Sequence, residues 1–244
     1  MTNQIETQNA PTTAITGYDN RQELREMDSS RRSFLTGLAG VGAAMWVGNS
    51  SVQQADAGQD PLQMAASHLV FSGVHKEFRL AFKSIQQHEN AHVAFLKEAL
   101  GAEARPMPTF QGLEMKTLRE FVYVAGAFEN TGSGAYLAAA PAIYDPEYLA
   151  AAASIALVEG RHAGFINVAS TEPITLLNAN FEAPISAADV VKAVTPFVKS
   201  LNGGPALTYS STRSASNDIA ILNFALALEY LEAAFYNINV PKFF

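Results

Sequence analysis

The sequence contains no cysteine. That excludes a disulfide framework, a thiolate metal site and a thiol nucleophile, while saying little about compartment. A basic stripe is missing too: the formal net charge is −7, which argues against nucleic acid as the main partner. No segment alternates apolar and polar residues in a convincing strand pattern, so the expected class is all-α. What is present is 244 residues with 48% hydrophobic content, ordinary for a soluble globular chain with one good core.

Residues 1–28 are polar and loop-like, and disorder is expected there. Then come Ser29-Ser30-Arg31-Arg32-Ser33-Phe34-Leu35-Thr36 and a mildly apolar run over 37–48. Paired Arg, then Phe-Leu, then a Gly/Ala-rich stretch of low hydrophobicity resembles a twin-arginine export signal. The run is too short and too glycine-rich to span a bilayer as a helix. Ala55-Asp56-Ala57 offers a cleavage site. The alternative is a chance arginine pair before a small amphipathic helix. The resemblance implies export in the folded state to the periplasm or cell envelope, often with a cofactor already loaded. The expected organisation is residues 1–57 as tail plus signal and 58–244 as the folded domain.

Residues 61–100 follow a helical pattern, with an interruption allowed at Ser72-Gly73 and the reliable part at 74–100. Phe78, Phe82, Ile85, Glu89, His92 and Leu96 share one face, and Gly101 is a natural stop. After a connection over 102–112, a second helix is expected over 113–140, ended by Pro141. Its buried side carries Phe121, Val124, Ala125, Phe128, Glu129, Gly132, Ala135 and Tyr136. Gly126, Gly132 and Gly134 each cost that helix about 1 kcal/mol relative to Ala, which points to close approach by another helix or a ligand. Asp145-Pro146-Glu147 reads as N-cap, Pro at the first helical position and a first-turn acid, opening a third helix that runs to about 169. Residues 170–213 form a long link with a short helix inside it. Ser186-Ala187-Ala188-Asp189 is its capping-box-like start, and 190–198 carries its apolar face.

Asn217 is the expected N-cap of a last helix, whose clearest part is 219–237. Leu222, Ala225, Leu226, Glu232, Ala233 and Tyr236 fall on the face of Glu229. That stripe is apolar except for its carboxylates. A charged carboxylate in a bundle interior costs several kcal/mol, comparable to the net stability of a domain. Something positive should therefore stand opposite Glu229.

The sequence contains two Glu-x-x-His patterns, Glu89/His92 and Glu159/His162, and two Glu-x6-Tyr patterns, Glu129/Tyr136 and Glu229/Tyr236. An i, i+3 pair puts both side chains on one helical face, which suits two ligands of one metal centre. Seven residues is close to two turns, so each Tyr shares a stripe with its Glu. The chain thus holds two copies of one unit: a Glu helix and a Glu-x-x-His helix. Two Glu plus two Glu-x-x-His is the ligand set of ferritin-like di-iron and di-manganese carboxylate bundles. His88-Glu89-Asn90-Ala91-His92-Val93-Ala94-Phe95-Leu96 resembles the second bundle helix of exported ferritin-like domain proteins. The stretch Phe128-Glu129-Asn130-Thr131-Gly132-Ser133-Gly134-Ala135-Tyr136-Leu137 resembles their third, and Val158-Glu159-Gly160-Arg161-His162 their fourth. The resemblance covers most of residues 74–238.

It implies a ferritin-like four-helix bundle with a long crossover that contains a short extra helix, holding two Fe ions or alternatively Mn. Glu89 and Glu159 would bridge, His92 and His162 would each bind one ion, and Glu129 and Glu229 would be terminal or bridging. The order departs from the family: the helix resembling Leu-Glu-Tyr-Leu-Glu-Ala-Ala-Phe-Tyr normally comes first and here comes last. This looks like a circular permutation, which the pseudo-twofold symmetry of the fold permits. The alternative is that the last helix completes a neighbouring subunit's site by swapping.

Tyr136 and Tyr236 read either as core residues hydrogen-bonded near the site or as redox-active groups. Glu232 reads as a neighbour of the site, a substitute ligand or an exposed residue. The matching position on the second helix is Gly132, so symmetry selects Glu229 as the ligand. His68, His75 and His88 lack matched partners and are not expected to be ligands, and Arg161 is expected at solvent. Four carboxylates and two imidazoles form an oxygen-rich set that suits Fe or Mn more than Zn or Cu(I). The expected partners are metal ions and O2 or peroxide, with self-association into a homo-oligomer left open. Four functions fit: a di-iron oxidase or ferroxidase, a di-manganese enzyme dismuting peroxide, an iron-binding, storage or stress protein, and a bundle that has lost its metal and serves as an interaction protein.

Overall fold

The computed structural model describes residues 74–170 and 172–244, the side chains of Val74, His75 and Leu177 aside. The tail, the export-signal stretch, its cleavage site, His68 and the side chain of His75 lie outside the described residues. Among the described residues there are five α-helices: α1 (Val74–Leu100), α2 (Leu118–Ala139), α3 (Pro146–Ala169), α4 (Ala187–Val194) and α5 (Ala215–Phe243).

Local chemistry sets these boundaries. Gly101 takes φ +53° and turns the chain off the end of α1, a conformation that costs a side-chain-free residue little. The start of α2 is at Leu118, not 113. Thr117 Oγ1 accepts from Glu120 N at 3.1 Å while Glu120 Oε2 accepts from Thr117 N at 3.2 Å, and this reciprocal box fixes the first turn. Leu113 and Met115, expected inside the helix, are buried in the irregular stretch before it. The side chain of Asn239 holds them, accepting from Met115 N at 2.9 Å and donating to Leu113 O at 2.7 Å. Asp145 caps α3 as expected, accepting from Glu147 N at 2.7 Å. The short helix α4 ends at Val194, where Thr195–Phe197 tightens into a 3-10 turn.

The cap of α5 is Ser214, whose Oγ accepts from Asn217 N at 3.1 Å. Asn217 is instead a bracket, accepting from Ser210 N at 2.8 Å and donating to Ser210 O at 2.8 Å. The helix continues through Pro241 in its last turn to Phe243. Two short strands, β1 (Thr109–Phe110) and β2 (Val198–Ser200), pair antiparallel. This corrects the expectation of no strand, but the pair only pins the α1–α2 connection to the crossover, and the class stays all-α.

The helices pack as two antiparallel pairs. Along α1 and α5, the Phe78 and Phe244 rings lie 5.9 Å apart, Gln86 Nε2 donates to Asn237 Oδ1 at 2.9 Å, and His92 faces Glu229. Within this chain, then, α5 closes the bundle beside α1. Along α2 and α3, Gly126 faces Ile166, Asn130 Nδ2 donates to Asn167 Oδ1 at 2.8 Å, and Gly132 faces Glu159. Buried Asp218 in the first turn of α5 accepts from Tyr144 N at 2.7 Å and Asp145 N at 2.9 Å, tying one pair to the other. The crossover lies against α2, with the Phe197 ring 5.0 Å from Phe128. By length and composition α3 and α5 could each cross a membrane; in the bundle most of α5 is enclosed. Two apolar clusters form the core. One is built on Phe82, Phe121, Phe128 and Phe235, the other on Leu96, Leu100, Ile143, Leu222 and Leu226. Glu89 and His92 fall between them on α1.

Candidate metal centre

Four helices each deliver carboxylate or imidazole groups from their middle turns: Glu89 and His92 from α1, Glu129 from α2, Glu159 and His162 from α3, Glu229 from α5. All six expected residues converge. The four carboxylates are 0% exposed, and the histidines are nearly so, at 11% for His92 and 5% for His162. They form two overlapping groups, Glu89–His92–Glu159–Glu229 and Glu89–Glu129–Glu159–His162, each offering ligand atoms within 4.8 Å of one another. Glu89 and Glu159 belong to both groups. The shared carboxylate of Glu89 divides its oxygens, Oε1 lying 3.0 Å from His162 Nδ1 and Oε2 3.4 Å from His92 Nδ1.

The residues fit a metal. His92 Nδ1 has three carboxylate oxygens around it, at 3.4 Å (Glu89), 3.3 Å (Glu159) and 3.2 Å (Glu229). A ring nitrogen carries one proton and cannot serve three acceptors. Donor atoms about 3 Å apart are, however, what an octahedral cation with bonds of about 2.1 Å requires. Apart from the approach of the His92 and His162 nitrogens at 3.0–3.4 Å, the four oxygens of Glu89 and Glu159 are buried without a hydrogen-bond partner, a costly arrangement unless something positive occupies their midst.

The outer carboxylates are held differently. Tyr136 on α2 donates to Glu229 Oε1 on α5 at 2.6 Å. Tyr236 on α5 makes a short hydrogen bond to Glu129 Oε1 on α2. Each tyrosine therefore serves the other copy's glutamate. Each leaves Oε2 free to face a histidine, at 3.2 Å for Glu229 and 3.1 Å for Glu129. Glu232 is buried and lies close to Gly132 and Glu159, outside both ligand groups. Arg161 is exposed and donates to Leu157 O at 2.9 Å.

His88 is where sequence reasoning missed a partner. Its Nδ1 lies 2.9 Å from His162 Nε2, and the two rings are parallel within 7° at 5.2 Å. The residue was visible beside Glu89. Its partner, on another helix, was not.

Electrostatics show what the cluster does without a cation. Burial pushes Glu89 up to about 7, with Glu159 adding to the shift and His162 and His92 opposing it. Glu159 is raised well above the ordinary carboxylate range by burial, then by Glu129 and Glu229. Burial also raises Glu129, against the pull of His162, and Glu232, with Glu159 adding. Burial alone would lower both histidines. Glu159, Glu229 and Glu89 nevertheless raise His92 to about 12, and Glu129 and Glu89 raise His162 to about 10. Protons thus occupy the place that a cation would take.

The chain matches the ferritin-like domain family over residues 32–172 and 217–243. It belongs to that family. Searches of curated proteins and of solved structures find no match. The two segments matched to the ferritin-like domain carry all six converging residues, and most of the crossover, α4 included, falls between them. A ferritin-like bundle with a buried acid–histidine cluster able to hold metal is what the geometry and the family show together.

Proposed function

We propose that this is an exported ferritin-like protein with a carboxylate-bridged di-iron centre, used for redox or ferroxidase-type chemistry with O2 or peroxide. One observation carries the reading: Glu89 and Glu159, fully buried and with no well-aligned hydrogen bond to their oxygens beyond the approach of the His92 and His162 ring nitrogens, are shared by both ligand groups. Glu89 and Glu159 would bridge two ions. His92 and Glu229 would complete one, His162 and Glu129 the other. Two divalent cations offset four carboxylate charges, which an apolar interior could not otherwise hold. When bound, the pair of ions supplies electron exchange with O2 or peroxide. Tyr136 and Tyr236 orient the outer carboxylates, and the apolar clusters on either side exclude water, which strengthens every charge interaction inside. The thiolate-free donor set favours Fe or Mn.

Two further parts of the reading rest on the sequence. Arg31-Arg32 and the weakly apolar stretch after it support twin-arginine export to the periplasm or cell envelope, with residues 58–244 as the mature domain. The Glu229 helix standing last supports a circularly permuted family order.

Metal analysis after metal-replete expression tests the core claim, with about two Fe per chain expected from the two ligand groups. Oxygen uptake on adding Fe(II) supports the oxidase reading, whereas oxygen release from peroxide by a manganese-loaded protein would replace it. Metal-free protein under those conditions would sink the reading. Glu159→Ala and Glu229→Ala should abolish uptake, and unchanged stoichiometry would show the ligand assignment to be wrong.

A further inference from the structure

We propose that His88 is a positioning residue for His162 and that it makes the two halves of the centre unequal, the half built on His162 and Glu129 binding its ion more tightly. The proposal rests on the di-metal reading above. His162 turns Nδ1 toward Glu89 Oε1 at 3.0 Å and Glu129 Oε2 at 3.1 Å, and that nitrogen must be bare to bind an ion. The ring proton then sits on Nε2. The atom facing it, 2.9 Å away, is His88 Nδ1, which therefore accepts and keeps its own proton on Nε2. A hydrogen bond on the far nitrogen of a ligand histidine fixes both tautomer and ring orientation. The rings are parallel within 7°, and a 5.2 Å centroid separation with 2.9 Å between the nitrogens places them edge to edge in one plane, the alignment an in-plane hydrogen bond requires.

The other half has no such support. Among the described residues nothing hydrogen-bonds the far nitrogen of His92. The residue that would stand where His88 stands, directly before Glu159, is Val158. The internal twofold repeat is thus broken here, as it also is at Gly132 and Glu232, and this break touches a ligand from behind.

Titration of the metal-free protein with Co(II), followed by visible absorption and calorimetry, tests this. The wild type should fill in two separable steps. His88→Val copies the Val158 side and should weaken one step by about 10–100-fold, the usual cost of losing such a partner, leaving the other in place. His88→Gln offers an acceptor oxygen and should restore most of the loss. Nitrogen-15 spectra of the metal-free wild type should show His88 protonated on Nε2 and bare on Nδ1. Identical two-step binding in all three proteins would overturn the inference while leaving the metal reading intact, as would a weakened His88→Val that His88→Gln does not rescue. Failure of the wild type itself to take up Co(II) would overturn both.

Discussion

The carboxyl of Glu89, pushed up to about 7 by burial, binds more protons in the folded chain than in the unfolded one between pH 4.5 and 7. A group shifted this way stabilises the fold fully below its unfolded pKa, and that contribution is lost as pH rises through the folded value. The histidines have the same sign: raised to about 12 and about 10, their contribution is present below pH 6.5 and lost as pH climbs through those values. The melting temperature of metal-free protein should therefore fall between pH 4.5 and 7 by an amount that Glu89→Gln reduces. Metal-loaded protein has exchanged those protons for cations, so its unfolded chain binds more protons than the folded one and its melting temperature should rise over the same range. A metal-free slope identical in wild type and Glu89→Gln would contradict this account. Tyr136 acts at one remove, through the 2.6 Å bond to Glu229. Tyr136→Phe should loosen the ion held by Glu229 and His92 by about 10–100-fold, read by competition with a chelator. Equal affinity would leave that hydroxyl as packing alone.

Helix α2 carries the sharpest contrast between fold and site. A Cβ on Gly132 would lie 2.7 Å from Glu159 Oε2 and 3.4 Å from Glu232 Oε1. Both are the far ends of flexible side chains, so the fold can give way. Ala also gains about 1 kcal/mol of helix propensity over Gly. Gly132→Ala should hence melt at or above the wild-type temperature when metal-free, yet lose metal, because the displaced carboxylate belongs to both ligand groups. At Gly134 the same Cβ would meet Ile185 Cγ1 at 2.5 Å and Ala183 O at 3.0 Å, so Gly134→Ala should lower the metal-free melting temperature, costing about 1–3 kcal/mol. If both variants lose stability alike, the glycines serve packing only. These glycines were legible as places of close approach, since a helix does not accept such a cost without return. Helix ends were less legible. Thr117 and Glu120 spell a capping box in the sequence, but Leu113 and Met115 extend the apolar pattern upstream, and only the reach of Asn239 from α5 shows that they are not helical. The β1–β2 pair has no signature because contact between two loops creates it.

At the scale of the whole molecule, the convergence of the six residues could be read from sequence because the pattern is written twice. A lone Glu-x-x-His says little, whereas two of them, with two Glu-x6-Tyr helices, name four helix faces that must meet. The crossed tyrosine–glutamate bonds and the His88 contact stayed hidden, since both depend on how one helix is set against another. The same duplication bears on helix order. Phe244 at the end of α5 stacks on Phe82 at 5.0 Å and lies against Phe78 in α1, so the end of the last helix stands beside the beginning of the first. The turn at Asn202-Gly203-Gly204, exposed at its first two residues, lies in the crossover that now joins the halves. A rearranged chain that starts at Gly204, runs through α5, continues from Phe244 through residues 58–73 into α1, and ends at Gly203 would restore the order the family resemblance implies. Moving the break from one loop to another changes loop-closure entropy by only about 1 kcal/mol, and every helix–helix contact around the site is retained. The rearranged protein should be helical, should melt cooperatively, and should take up the same number of ions as the natural order. If it fails to fold with residues 58–73 as the joint and also with a longer flexible joint, α5 is not interchangeable with a first helix, and the permutation reading fails.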